Sequence, residues 1–270
     1  MPAHPVRLFG SKVWPALLLA STLTLGACQS REAKLEDDPM TTGSVSKLGA
    51  KSATGSFKAT EALSQRWLAD KTNIPLSLEY AASLEKIGQT DEQIGVLKSL
   101  AVSHPEDGAL QAKLGKMLLT SGRAGEAVDM LERAAGAPGV EWKTLSALGS
   151  AYDQQGNHGK AREQYKLALA MQPGELSVEN NLAMSFALEG KLADAEKILR
   201  GAVAQQGSAA QPRIRQNLAL VVGLQGHFDE ARKIASEDLP PDQVDANLAY
   251  LQQMLAQPNT WQQLSKQNSG

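Results

Sequence analysis

Five glycines in this chain keep step with one another. Gly88, Gly122, Gly156, Gly190 and Gly226 stand 34, 34, 34 and 36 residues apart. Seven residues before each comes a small residue: Ala81, Gly115, Gly149, Ala183 and Ala219. Immediately before those are Tyr80, Leu114, Leu148, Leu182 and Leu218, and five residues after each glycine are Gln93, Ala127, Ala161, Ala195 and Ala231. A unit this short cannot bury its own apolar face, so copies must stack and share a core. Each column has a physical reading. The small residue and the alanine let two helices of one hairpin approach closely. The glycine follows the first helix, where the chain turns through a left-handed conformation. The larger Leu131, Tyr165 and Leu199 fill the space between hairpins.

The third unit shows the pattern most fully, with Leu145, Leu148, Gly149, Tyr152, Gly156, Ala161, Tyr165, Ala168 and Pro173 in place. A period near 34 residues with two helices per unit is the tetratricopeptide signature. The expected fold is all-α: a tetratricopeptide-repeat solenoid of about five helical hairpins with capping helices. The end units are worn, with Gln93 where a small residue is expected, and with Asp238 in an interior position ahead of Pro240-Pro241. A helix near 57–70, with Ala59, Ala62, Leu63 and Trp67 on one side, is expected to cap the front; another near 243–255 caps the back. The expected divisions are a signal segment (1–27), a lipidated cysteine and flexible tether (28–56), the solenoid (57–255) and a polar tail (256–270).

The signal reading rests on Arg7 and Lys12 ahead of an apolar stretch, Val13 to Leu25, too short to span a bilayer comfortably. It ends in Leu25-Gly26-Ala27-Cys28, which resembles the lipobox of bacterial lipoproteins, and Cys28 is the chain's one cysteine. The thiol of Cys28 would take a diacylglyceryl group as a thioether, and two or three acyl chains hold a protein on a membrane stably. Gln29, where Asp would favour inner-membrane retention, points to the outer membrane. Gln29 to Ser56 is rich in Ser, Gly, Lys, Asp and Thr without an apolar period, and reads as a tether.

Composition excludes several classes of function. The net charge of −2 and 4% aromatics leave no basic, base-stacking footprint for nucleic acid. His104, His158 and His227 fall at turns of different repeats and read as solvated turn residues rather than metal ligands. Gly156-Asn157-His158-Gly159-Lys160 is a helix-to-helix turn, not a phosphate loop, and no nucleophile elbow is present. No catalytic residue, metal, cofactor or small-molecule substrate is expected, so the chain reads as a non-enzyme.

A solenoid of this kind offers a groove lined by the first helix of each hairpin. The helical period places Lys113, Lys116, Lys143, Ser150, Asp153, Gln154, Asn180, Asn181, Met184, Gln216, Asn217, Leu220 and Asn247 on that side. Asn181-Leu182-Ala183, Asn217-Leu218-Ala219 and Asn247-Leu248-Ala249 are one tripeptide three times over. Its asparagines either form a ladder for the backbone of a bound extended segment or hydrogen-bond within and between repeats.

Several stretches outside the repeat columns resemble the TadD family of tight-adherence (Flp) pilus-assembly lipoproteins. They are Arg215 to Ala231, Asp238-Leu239-Pro240-Pro241, Asn247 to Leu251 and Ala151 to Gly156, within a similarity covering residues 60–255. The resemblance implies a lipid-anchored, periplasm-facing scaffold. Its partners would be proteins of the pilus and secretion machinery, an outer-membrane secretin or an inner-membrane platform. The competing expectation is an envelope adaptor that gathers peptidoglycan enzymes or outer-membrane assembly factors.

Overall fold

The structure is a computed structural model that describes the backbone of residues 44–256, other than 206, 208 and 210, with side chains from residue 56 onward. The signal segment, Cys28 and the polar tail lie outside those residues. Among the described residues the regular elements are twelve α-helices and no strand. A single helix, α1 (Ser44–Ala69), precedes five hairpins: α2 (Ile74–Lys86) with α3 (Thr90–Ser103), α4 (Gly108–Thr120) with α5 (Ala124–Gly136), α6 (Trp142–Gln154) with α7 (His158–Met171), α8 (Leu176–Leu188) with α9 (Leu192–Val203), and α10 (Pro212–Leu224) with α11 (Phe228–Ala235). The last helix, α12 (Pro241–Ala256), packs on the fifth hairpin.

Each hairpin turns as the glycine column predicts. Gly88, Gly122, Gly156, Gly190 and Gly226 all have φ between 73° and 87°, where a side chain would strain the backbone. The residue after each glycine returns its N–H to a carbonyl five residues back, as in Arg123 to Leu118 at 2.9 Å and Asn157 to Tyr152 at 2.9 Å. That bond satisfies carbonyls the helix end would otherwise strand. At three helix starts a side chain does the reciprocal work: Asn73 Oδ1 accepts from the Leu76 N–H at 3.0 Å, Asp107 Oδ1 from Leu110 at 2.9 Å, and Glu175 Oε1 from Ser177 at 3.4 Å.

The small-residue columns set the hairpin spacing. Ala127, Ala161, Ala195 and Ala231 are completely buried. A Cβ on Gly149 would lie 2.6 Å from the Tyr165 ring, and one on Gly115 would lie 2.6 Å from Leu131 Cγ. These contacts are closed, so the glycines are there for space rather than for backbone freedom.

The apolar interior divides into two clusters. One runs from Tyr80 in α2 to Leu182 in α8, and the other from Leu176 in α8 to Leu248 in α12, with Phe186 and Ile198 touching both. The first helices α4, α6, α8, α10 and α12 pack on one another in succession, whereas the second helices do not approach one another as closely. The inner surface of the stack is therefore made by the first helices.

The ends depart from expectation in detail. α1 begins at Ser44, well before the expected cap and inside the expected tether. The lack of an apolar period argued for a flexible chain there, but a helix already nucleated adds a hydrogen bond with each further residue and needs no apolar face to do so. Against the first hairpin α1 places Leu63 and Trp67, with the Trp67 ring 5.5 Å from that of Tyr80, while Ala59 and Ala62 are exposed. At the far end, the interior Asp238 is matched by Arg215, whose Nε donates to Asp238 Oδ2 at 2.7 Å and whose second nitrogen donates to Oδ1. No described helix is long and apolar enough to cross a membrane.

Candidate functional site

Counting from the first residue of α4, α6, α8 and α10, position six holds Lys113, Ala147, Asn181 and Asn217, and position nine holds Lys116, Ser150, Met184 and Leu220. Alignment of the repeated tripeptide adds Asn247 and Tyr250 of α12. Neither position belongs to the buried leucine and small-residue columns, so both rows face the inner surface. The Asn217 Nδ2 donates to Asn180 Oδ1 at 2.7 Å across α10 and α8, which fixes these rows at the junction of neighbouring first helices.

The amino-terminal half of the surface is cationic. Lys113 is exposed and Lys116 half-buried, and neither has an ion pair or hydrogen bond among the described residues. Lys143 is exposed, its ammonium 5.5 Å from the centroid of the Trp142 ring. Beside Lys113 and Lys116 opens a cleft of about 510 Å³, floored by Ala109, Ala112, Ala134, Ala137, Pro138 and Val140, with Glu106, Asp107 and Glu141 at its loop rim.

In the middle of the stack, groove positions turn inward. Asp153, expected on the surface, sits among donors: Tyr165 OH gives to Oδ2 at 3.0 Å, Ser185 Oγ to Oδ1 at 2.7 Å, and His158 Nδ1 lies 2.8 Å from Oδ1. Ser150 Oγ is 3.1 Å from the same Tyr165 hydroxyl and 3.1 Å from the Ser146 carbonyl. Burial, then the Asp153 charge, pushes the Tyr165 hydroxyl's pKa up, so it remains a donor. Contrary to the expectation of a solvated turn residue, the His158 side chain is only 12% exposed, because it closes this network. Asn180 is likewise buried, and its amide serves Asn217 rather than the groove. A carboxylate or amide at the edge of a helix face can turn toward the next hairpin as readily as toward solvent, and a helical wheel does not contain that neighbour.

The carboxy-terminal half is amide-lined and apolar apart from one exposed cation, Arg213, which holds in α10 the position of Lys143 in α6. Asn181, half-buried, and Asn247, exposed, have no hydrogen-bond partner among the described residues, whereas Asn217 is already committed through Nδ2. Met184 and Leu220 are half-buried, Gln216 is exposed, as is Gln154 at the end of α6 in the other half, and Leu188 and Tyr250 expose 55% and 61% of their surface. Tyr250 and Leu188 were not singled out from sequence. The signal for Tyr250 was present, since extending the Leu220 column by the tripeptide register lands on it. Among the described residues, no group of three or more His, Cys, Asp or Glu side chains is placed to hold a metal ion.

Comparison with known proteins agrees with the architecture. The family description "Tetratricopeptide repeat" matches residues 143–175, and a second, "Tetratrico peptide repeat", matches residues 44–139. A curated relative, an uncharacterized protein y4yS of Sinorhizobium fredii, is 30% identical over 108 residues, which is 40% of this chain. The chain spans 59% of that relative's length. Among solved structures, MamA aligns at 24% identity with a TM-score of 0.50, over 62% of this chain and 95% of MamA. YrrB, described as a TPR protein with an unusual peptide-binding site, aligns at 15% identity with a TM-score of 0.51, over 66% of this chain and 95% of YrrB. At these identities the two structures speak for the fold. The chain is a tetratricopeptide-repeat solenoid, an architecture that serves as a scaffold for protein–protein interaction.

Proposed function

We propose that this solenoid is a lipid-anchored scaffold for assembly of tight-adherence pili, and that it holds an extended segment of a secretion-machinery protein in the groove of its first helices. The observation that carries the binding part is the inner-face row of polar side chains left without partners: Lys113, Lys116, Asn181 and Asn247. Some long polar side chains elsewhere pair within the chain, as in Arg200 with Glu230 and Arg215 with Asp238, and what sets this row apart is its place on the inner surface. Polar groups without partners on an inner surface are what a bound backbone or charged side chain would satisfy. A peptide-binding site on YrrB, a protein of like fold, is in keeping with this.

The anchoring part rests on the sequence leading to Cys28, and the pilus part on the TadD-like stretches around Arg215 to Ala231 and Asp238 to Pro241. A lipid anchor at Cys28 would hold the groove at the periplasmic face of the outer membrane, where a secretin must assemble.

The test is capture of the tagged, lipidated protein from its own cells in mild detergent, with the bound proteins identified. Recovery of a secretin or of the inner-membrane pilus platform is the expected result. Recovery of peptidoglycan hydrolases or outer-membrane assembly factors without any pilus protein would replace this reading with the envelope-adaptor one. Cys28→Ala should release the protein from the membrane fraction; if it stays there, the anchor assignment is wrong.

A further inference from the structure

The groove changes chemistry along its length, and that constrains its occupant. The point rests on the groove reading above and deepens it. Lys113, Lys116 and Lys143 lie on adjoining helices α4 and α6, and no acidic side chain is bonded to any of them. The nearest acids of the cleft stand on its loop rim, and Asp107 is already used to cap α4. Ala147 and half-buried Ser150 follow, leaving a shallow stretch. The row then continues as Asn181 with Met184, Asn217 with Leu220, and Asn247 with the exposed Tyr250. A cationic segment would meet repulsion over α4 and α6, and a wholly acidic one would leave the apolar row uncovered.

We infer that the occupant is an extended segment of a partner protein, acidic at one end and apolar at the other. It binds in one orientation, with carboxylates over Lys113, Lys116 and Lys143 and apolar side chains over Met184, Leu220 and Tyr250. A small apolar residue beside the acidic end fits the alanine-floored cleft next to Lys113. Crossing from α4 to α12 takes four helix-to-helix steps of roughly 9 Å, so about 11 residues of extended chain span the surface.

The experiment uses the full-length protein and fluorescence anisotropy with labelled twelve-residue synthetic peptides. One has glutamates in its first half and alternating Leu and Ser in its second; its counterpart has lysines for the glutamates. Expected is micromolar binding of the glutamate peptide, weakened about tenfold or more in Lys113→Glu/Lys116→Glu and weakened by salt, with the lysine peptide about tenfold weaker on the wild type. Both lysines are solvent-accessible, so the helical circular dichroism of the variant should match the wild type. A photo-crosslinker at the glutamate end should mark α4 and α6; one at the leucine end should mark α8 to α12. Equal affinity for the two peptides, no binding of the glutamate peptide at 100 micromolar (about the weakest affinity such a groove would use), an unaffected charge-reversal variant or crosslinks at the opposite ends would each overturn the inference. Capture from cells separates the two readings. If Lys113→Glu/Lys116→Glu still captures the secretin as the wild type does, the polarity inference fails and the pilus function stands. If the wild type captures wall hydrolases alone while the glutamate peptide binds as expected, the function fails and the inference stands.

Discussion

The first three hairpins and the last two share one repeat but differ in what they bury and what they show. The amino-terminal half carries a core from Tyr80 to Leu182 and an inner face with three lysines. The carboxy-terminal half carries a separate core from Leu176 to Leu248 and an inner face of asparagines, Met184, Leu220 and Tyr250. The change occurs in both respects near α6 to α8, where Asp153, His158, Tyr165 and Ser185 form a polar layer. A stack of repeats is stabilised by nearest-neighbour interfaces, so a polar layer at one interface is where cooperativity should be weakest. The same interface separates the two chemistries of the groove, so the binding halves and the folding halves are one division.

The largest effects should come from emptying each core in turn. Leu131→Ala and Leu199→Ala delete fully buried side chains at the same repeat position, and each should cost roughly 4 kcal/mol. Native-state hydrogen exchange should lose protection mainly in α4 to α7 for the first and in α8 to α11 for the second. Equal loss along the whole stack from either variant would show a single cooperative unit and dissolve the comparison.

Asp153→Ala removes the acceptor shared by Tyr165, Ser185 and His158 and leaves the two buried hydroxyls only their weaker contacts with Ser150 and the His158 carbonyl. It should cost about 3 kcal/mol. Two of the lost bonds hold α6 to α7 and the third, from Ser185, ties α6 to α8, so the urea transition followed by circular dichroism should broaden or divide in two at that hairpin junction. A shift of the midpoint with an unchanged slope would mean that the interface is held by Phe186 and Ile198 instead. Gly149→Ala acts within one hairpin of the same region. Its new methyl meets a buried ring, so about 2 kcal/mol is expected, read as a lower melting temperature with the slope kept.

How far the sequence carried the fold depends on which interactions repeat. The glycine column, the alanine column and the hairpin boundaries were legible because each follows from the backbone of one unit, and Gly88 to Gly226 adopt the same positive φ five times. The inner-face placement of Lys113, Lys116 and Asn181 follows from the helical period alone. The groove was not legible at Asp153 and Asn180, whose partners Ser185 and Asn217 belong to the next hairpin, 32 and 37 residues away. Nor was the early start of α1 legible from a pattern of apolar residues, because a helix can continue without one.

The smallest expected effect compares the outer edges of the two halves. Lys98 of α3 pairs with Glu126 of α5, and Arg200 of α9 pairs with Glu230 of α11, at the same positions of the repeat. The hydrogen bond from Arg123, with a second from Lys98, holds the Glu126 carboxyl down at about 2. A carboxyl depressed in the folded chain contributes stability that is complete above its unfolded value near 4.5 and is lost as pH falls toward 2. The stability difference between wild type and Glu126→Gln, measured by urea unfolding, should therefore be constant from pH 7 to about 5.5 and shrink as the pH drops to 3. The pair is solvent-accessible, so the difference should be small and should also fall with added salt. On the outer edge of the second half a carboxyl is depressed at Glu196, held by Gln225 first and Arg200 second, so the matching variant there is Glu196→Gln. Because its leading partner is an uncharged amide rather than a cation, its acid-sensitive difference should survive salt better than that of Glu126. Equal salt sensitivity at the two sites would mean that Arg200, not Gln225, sets the Glu196 carboxyl, and that the two outer edges are held in the same way.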